Sequence, residues 1–287
     1  MLIEEYKRSL KMPEAEEFLD LIFYRPLAFV FVKAIYRLPI TPNQVTVLSM
    51  ISGFVAAWYF SLGTSSSVMA GAIWYAVANV LDCSDGQLAR LQQSGTFLGR
   101  VIDGVADYFS STAIFIGLGL GLALSGHSLW WLVVLSGASS ALHAVMFDRY
   151  QSEFISTVRT DAAKPGPGQE VEQFTRELHR MREEGGRGVR IVFLKLYLHY
   201  LALQQPSAIG TARRELQPGS YRKKNHLMIR LWSVLGPTTN RTLLVICALA
   251  GRIDLFLWII ATLGNAWLIV CYVLQHRIHR QLGLARV

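Results

Sequence analysis

LDCSDGQLARLQQSGTFLGRVIDGVADY, residues 81–108, places four aspartates where two apolar stretches meet. Asp82 and Asp85 are three residues apart, and Asp103 and Asp107 are four apart. At helical spacing each pair projects from one face. Two helices joined by a short turn can therefore aim all four carboxylates into one space. Such a cluster repels itself and is costly near a membrane. Divalent cations resolve that conflict, and all-oxygen donors suit Mg²⁺, Mn²⁺ or Ca²⁺. A pair of such ions can bridge and neutralise a pyrophosphate. Gly86 and Ala89 lie one helical turn apart and leave room for a flat or bulky ligand, with Gly99 facing them from the next helix. Arg90 stands beside this gap and can pair with phosphate oxygens.

Outward from this stretch, the chain reads as a membrane protein. Hydrophobic residues make up 52% of its 287 residues and charged residues 17%. A soluble domain carries about 25% charged residues. A span needs about 20 mostly apolar residues. Six candidates follow: Val45–Ser61, Val68 to about Asp82 with a helical continuation to Arg90, Phe97–Leu124, Leu129–Phe147, His226–Ala250 and Leu255–Gln275. Gly236-Pro237 interrupts the fifth, so that span is either kinked or begins near Thr238. The expected architecture is all-α, with six transmembrane helices, N-terminal interfacial helices and a helical cytoplasmic insertion between spans four and five.

The division that follows is 1–40 interfacial helices, 41–149 the first four spans with the acidic motif, 150–225 a basic insertion, 226–276 the last two spans, and 277–287 a basic tail. Within the first segment, Phe18, Leu19, Ile22 and Phe23 form an apolar stripe opposite Glu14, Glu16, Glu17 and Asp20, and Arg25-Pro26 reads as a break or restart. In the insertion, Lys164-Pro165-Gly166-Pro167-Gly168 reads as a linker, Gln169–Glu184 as a charged helix and Val189–Gln204 as a second interfacial helix.

The formal net charge is +8 and the pI near 9.5. Lys and Arg crowd the segment before span one, the loop between spans four and five, and the tail, whereas Leu62–Ser67 and Ser125–Ser128 hold none. The positive-inside rule puts both termini, the long loop and the acidic cluster in the cytoplasm. The charge serves anionic lipid headgroups, because no reading motif for nucleic acid accompanies it. The N-terminal stretch is charged and lacks the form of a secretory signal. Cys83, Cys247 and Cys271 form no CxxC pair and read as buried thiols. His143 reads as a packing residue of span four, and Trp130-Trp131 as interfacial anchors.

Asp82, Asp85, Gly86, Ala89, Arg90, Gly99, Asp103 and Asp107 fill every fixed position of D-x2-D-G-x2-A-R-x8-G-x3-D-x3-D. The chain thereby resembles the CDP-alcohol phosphotransferases, well over about Thr41–Phe147 and poorly over 150–224. The resemblance implies that Asp82, Asp85 and Asp103 hold metal, two Mg²⁺ or Mn²⁺ ions in all, and that Asp107 is the general base, touching the second ion. It also implies that Gly86, Arg90 and Thr96 contact the CDP portion, with Ala89 and Gly99 lining its site. Pro42-Asn43-Gln44-Val45-Thr46 resembles the family's P-N-x-x-T element, which makes Asn43 and Thr46 donor contacts. Thr96 reads equally as the cap of span three.

The implied partners are a CDP-activated donor, an alcohol acceptor, membrane lipid and a second copy of the chain. Implied chemistry is attack of the alcohol on the donor's phosphorus with loss of CMP, in phospholipid biosynthesis. The favoured pair is CDP-diacylglycerol with inositol phosphate or glycerol 3-phosphate, and Arg149, Arg213 and Arg214 are candidates for the acceptor's phosphate. A soluble CDP-alcohol with a lipid acceptor is the alternative. A carboxylate-based ion-coupled transporter is the alternative of another class, opposed by acids near the helix ends and by the lack of a repeat.

Overall fold

The structure, a computed structural model, describes residues 2–126, 128–158 and 218–284, with Thr175, Arg176, Leu178 and Arg180. Among these residues every regular element is helical. The order is α1 (Leu2–Ser9), a π-helical turn (Asp20–Tyr24) running into α2 (Arg25–Ile35), α3 (Pro42–Ser61), α4 (Ser65–Leu91), α5 (Phe97–Leu124) and α6 (Trp130–Val158). Then come α7 (Pro218–Ser233), α8 (Pro237–Leu249), α9 (Ile253–Ile259), a second π-helical turn (Ile260–Gly264) and α10 (Asn265–Gln281).

Local chemistry sets the starts of the motif helices. Thr41 opens α3 with a capping box: its hydroxyl accepts the Gln44 N–H while the Gln44 side chain accepts the Thr41 N–H, and Pro42 supplies a preset φ. Thr64 and Ser67 do the same for α4. Thr96 caps α5 by accepting the Gly99 N–H at 3.0 Å. Between α4 and α5, Gln93 takes the left-handed conformation (φ 50°), and the Ser94 N–H reaches back to the Ala89 carbonyl at 3.1 Å. That geometry ends α4 and turns the chain directly into α5.

Four described stretches are long and apolar enough to cross a membrane: Pro42–Ser61, Val101–Leu124, Trp130–Val158 and Ile253–Gln281. They correspond to expected spans one, three, four and six. With these four apolar helices the protein has the build of a membrane protein. Large apolar side chains such as Ile51 and Trp58 on α3, Ile73 on α4, Ile116 on α5 and Val134 on α6 are exposed, a surface suited to hydrocarbon. Expected span two is a 27-residue helix, α4, whose last third carries Asp82, Asp85, Gln87 and Arg90 and is too polar to qualify. Expected span five, His226–Ala250, is two helices: α7 ends at Ser233, and Pro237 begins the 13-residue α8. A proline ring clashes with the preceding turn of a continuing helix but fits a first turn.

Two other expectations change. Arg25-Pro26 is no break, because the turn at Asp20–Tyr24 continues into α2 with helical backbone at Arg25. The boundary at 149/150 falls inside α6, which continues to Val158. The linker at 164–168 and the helices expected at 169–184 and 189–204 fall outside the described residues, apart from four positions within 175–180.

Small residues bring α3, α4 and α5 together. A Cβ on Gly117 would lie 2.3 Å from the Ala57 carbonyl oxygen, and one on Gly121 2.0 Å from that of Phe60. The α3 and α5 backbones therefore touch, as close-packed membrane helices do. One apolar cluster, including Phe60, Ile114, Leu118, Leu132 and Phe256, packs on the N-terminal half of α6. A second, including Phe147, Phe154, Tyr221, Trp232 and Cys271, packs on its C-terminal half. His143 is fully buried between them with Nε2 3.1 Å from Asn265 Oδ1, and all three cysteines are buried and free.

Candidate active site

The motif places Asp82 and Asp85 on α4 and Asp103 and Asp107 on α5. Asp82, Asp85 and Asp103 each offer an oxygen within 4.8 Å of the other two. Thr46, one turn into α3, donates its hydroxyl to Asp85 Oδ2 at 2.5 Å. Asp103 Oδ1 is buried with no hydrogen-bond partner. Asp107 stands outside the triad and pairs with Arg241.

Arg241 on α8 is the residue that sequence reading missed. Its Nη1 lies 2.8 Å from Asp82 Oδ2 and 3.2 Å from Asn79 Oδ1, and its Nη2 lies 2.8 Å from Asp107 Oδ1. One guanidinium thus ties the two acidic helices to α8. A lone arginine inside an apolar segment requires a polar partner, and that signal was available in Thr238–Ala250.

The other expected residues fall into two groups on the ends of the helices that carry the site. Asn43 lies against α5: a Cβ on Gly99 would meet Asn43 Oδ1 at 2.9 Å and Thr96 Oγ1 at 3.1 Å. Asn43, Thr96 and Gly99 therefore form one corner. Gly86 forms another with Arg90, whose guanidinium packs over it, 3.3 Å from where a Cβ would stand. Arg90 Nε donates to the Ser9 carbonyl at the end of α1, and Arg90 Nη2 is buried without a hydrogen-bond partner. Ala89 is half-buried, and its carbonyl closes the turn into α5. Arg149 on α6 is half-buried, with Nε unpaired, and Arg213 and Arg214 lie outside the described residues.

The acidic residues of the N-terminal segment are not a solvated face. Glu16 pairs with Arg25 at 2.8 Å, and Glu17 and Asp20 are buried. This strap, between α1 and α2, lies against α4, where Asp20 accepts from Cys83.

Residues 39–164 match the family model for CDP-alcohol phosphatidyltransferase, a segment that brackets α3, α4, α5 and all four aspartates. These residues form a CDP-alcohol phosphatidyltransferase domain. Arg241 lies outside the matched segment, yet its guanidinium pairs with two of the four aspartates.

Similar proteins agree with the domain. The chain is 30% identical over 161 residues to the bifunctional IPC transferase and DIPP synthase of Thermococcus kodakarensis, covering 56% of this chain and 33% of that protein. It is 35% identical over 89 residues to the archaetidylinositol phosphate synthase of Pyrococcus horikoshii, covering 31% and 46%. It is 30% identical over 112 residues to the phosphatidylinositol phosphate synthase of Corynebacterium glutamicum, covering 39% and 46%. The chain thus spans less than half the length of each of these relatives.

The domain's donor set fits a divalent cation. Three carboxylates converge, one of their oxygens is buried and unpaired, and Arg241 supplies a single positive charge against four acids. Hard oxygen donors of this kind suit Mg²⁺ or Mn²⁺.

Proposed function

We propose that the protein transfers a phosphatidyl-type group from a CDP-activated lipid to a polar, phosphorylated alcohol and releases CMP. Inositol phosphate is the first acceptor we propose and glycerol 3-phosphate the second. The observation that carries this reading is the convergence of Asp82, Asp85 and Asp103 within 4.8 Å, with Asp107 held beside them by Arg241. The names of the similar proteins, two of which speak of inositol phosphate lipids, support the choice of acceptor.

In this reading Asp82, Asp85, Asp103 and Asp107 hold two Mg²⁺ or Mn²⁺ ions, which neutralise charge on the pyrophosphate when bound. The corner of Asn43, Thr96 and Gly99 and the corner of Gly86, Ala89 and Arg90 seat the CDP portion, and Thr46 keeps Asp85 in place. Asp107 takes the proton of the acceptor hydroxyl. The freed oxygen bonds to the phosphorus that carries the lipid, the bond from that phosphorus to the CMP oxygen breaks, and CMP departs as an anion beside Arg90. Holding the reactants in line supplies much of the acceleration.

Six spans follow if α4 and α8 cross with the four apolar helices. Their exposed outer residues, Ile73 and Val77 on α4 and Ile246 on α8, support that. Positive-inside asymmetry then sets both termini, the basic insertion and the site in the cytoplasm. Phe18, Ile22 and Val30, each at least 60% exposed, give the N-terminal helices an apolar ridge that rests on the bilayer. The protein works as a homodimer.

The test is CMP release by the detergent-purified chain with Mg²⁺. CDP-diacylglycerol, its archaeol counterpart and soluble CDP-alcohols are offered singly, each against inositol phosphate, glycerol 3-phosphate and lipid acceptors. The proposal expects release with one CDP-lipid and a phosphorylated acceptor. Release only with a soluble CDP-alcohol and a lipid acceptor would reverse the donor and acceptor. Ion uptake by proteoliposomes without CMP release would favour a transporter.

A further inference from the structure

The N-terminal strap meets α8 and α4 through two neighbouring carboxylates, Glu17 and Asp20. Glu17 is 3% exposed and lies at the first turn of α8. Its Oε1 accepts the Thr238 N–H at 3.1 Å, and its Oε2 accepts the Thr239 N–H at 2.8 Å and the Thr239 hydroxyl at 2.9 Å. The first N–H groups of a helix have no partner within it and need an acceptor. Gly236, at the cap position of α8, brings no side chain to meet them. Nor could it be larger, because a Cβ there would stand 2.1 Å from Glu17 Cδ. The cap comes instead from 221 residues away.

The same strap grips α4 beside the metal-binding acids. Cys83, next to Asp82, donates to Asp20 Oδ1 at 3.5 Å, and Arg25 Nη1 donates to the Cys83 carbonyl at 3.4 Å. Glu17 and Asp20 therefore fix α8 and α4 to one short segment. Arg241 lies within one turn of Thr238 and Thr239, and it bridges Asp82 to Asp107. We propose that Glu17 is a positioning residue for Arg241, holding α8 at the register in which the guanidinium spans the two aspartates. The inference rests on the reading of these acids as a metal-binding catalytic cluster.

The test measures Mn²⁺ affinity by electron paramagnetic resonance on the detergent-purified full chain, with CMP release followed in parallel. Arg241→Ala removes a positive charge from the cluster and tightens Mn²⁺ by about tenfold. Glu17→Ala tightens it in the same direction, by about threefold or more, because the guanidinium is no longer held. Gly236→Ala leaves Glu17 intact but displaces its carboxylate, and it reproduces the Glu17→Ala change. Glu17→Gln keeps one acceptor oxygen and stays nearer the wild type. The double variant Glu17→Ala/Arg241→Ala matches Arg241→Ala alone, because both changes act through one group.

Wild-type Mn²⁺ affinity in Glu17→Ala and Gly236→Ala would overturn the proposal. So would full addition of the two effects in the double variant. Absence of CMP release from a wild-type chain that binds Mn²⁺ would remove the proposed reaction, while the positioning role stands or falls on the Mn²⁺ affinities.

Discussion

Arg241 Nη2 lies 2.8 Å from Asp107 Oδ1, and this contact joins α8 to α5 at the edge of the acidic cluster. The Asp107 side chain is 42% exposed and that of Arg241 only 11%. The carboxylate thus faces open space while the cation holds it from behind. A proposed base needs that arrangement, because it must meet the acceptor hydroxyl without losing its orientation.

Arg241→Ala leaves Asp82 and Asp107 without their shared cation. The expected cost is about 1–3 kcal/mol, below that of breaking a fully buried pair because Asp107 is partly solvated. Thermal unfolding in detergent and EDTA measures it, and added Mg²⁺ recovers part of the loss. An unchanged melting temperature in EDTA would show that the pair contributes nothing to the fold.

Thr46→Val removes the hydroxyl that donates to buried Asp85 at 2.5 Å while keeping the side chain's shape. Losing one hydrogen-bond donor to a buried carboxylate costs about 1–3 kcal/mol. CMP release should fall with stability, and Thr46→Ser should restore both. If Thr46→Val matches the wild type in both assays, the hydroxyl has no role at Asp85.

Burial and the neighbouring Asp20 push the Glu17 carboxyl up from 4.5 to about 8, against the bonds it receives from Thr239 and Thr238. Glu16 and Arg25 lie on the same strap. A group with a raised folded-state pKa adds stability that is full below its unfolded value and lost as pH rises through the folded value. Wild type should therefore lose stability relative to Glu17→Gln between pH 4.5 and about 8. Denaturation midpoints of both proteins across that range provide the check, and a pH-independent difference would contradict it.

Gly121→Val sets a side chain against the Phe60 carbonyl, 2.0 Å from the new Cβ. Backbone cannot yield as a flexible side chain can, so the cost should be about 2 kcal/mol or more. Gly95→Ala is the control, since nothing stands within 4 Å of its Cβ. Equal melting temperatures for the two variants would refute close α3–α5 contact.

The four aspartates were legible because their chemistry is written in local spacing. Residues three or four apart on a helix share a face wherever the helix lies, and the turn at Gln92–Thr96 brings the two pairs together. Arg241 was not legible in the same way. Its partner Asp82 is 159 residues distant, and only the packing of α8 on α4 reveals the pair. Glu17 shows the same limit, because its surroundings in sequence suggest a solvated face. The stretches expected as spans two and five differ from the four apolar ones for local reasons. The acids that make α4 useful lower its hydropathy, and Gly236-Pro237 creates the helix start that Glu17 caps.

The central claim is that this acidic cluster performs metal-dependent transfer with Asp107 as base. Its most direct test compares CMP release by wild type and Asp107→Asn, using a CDP-lipid and inositol phosphate, with Mg²⁺ and with EDTA. The account predicts release by wild type only with Mg²⁺, and a loss of about 10²–10⁴-fold in Asp107→Asn at a temperature where both proteins remain folded. Release that persists in EDTA, or that survives in Asp107→Asn at the wild-type rate, would contradict it.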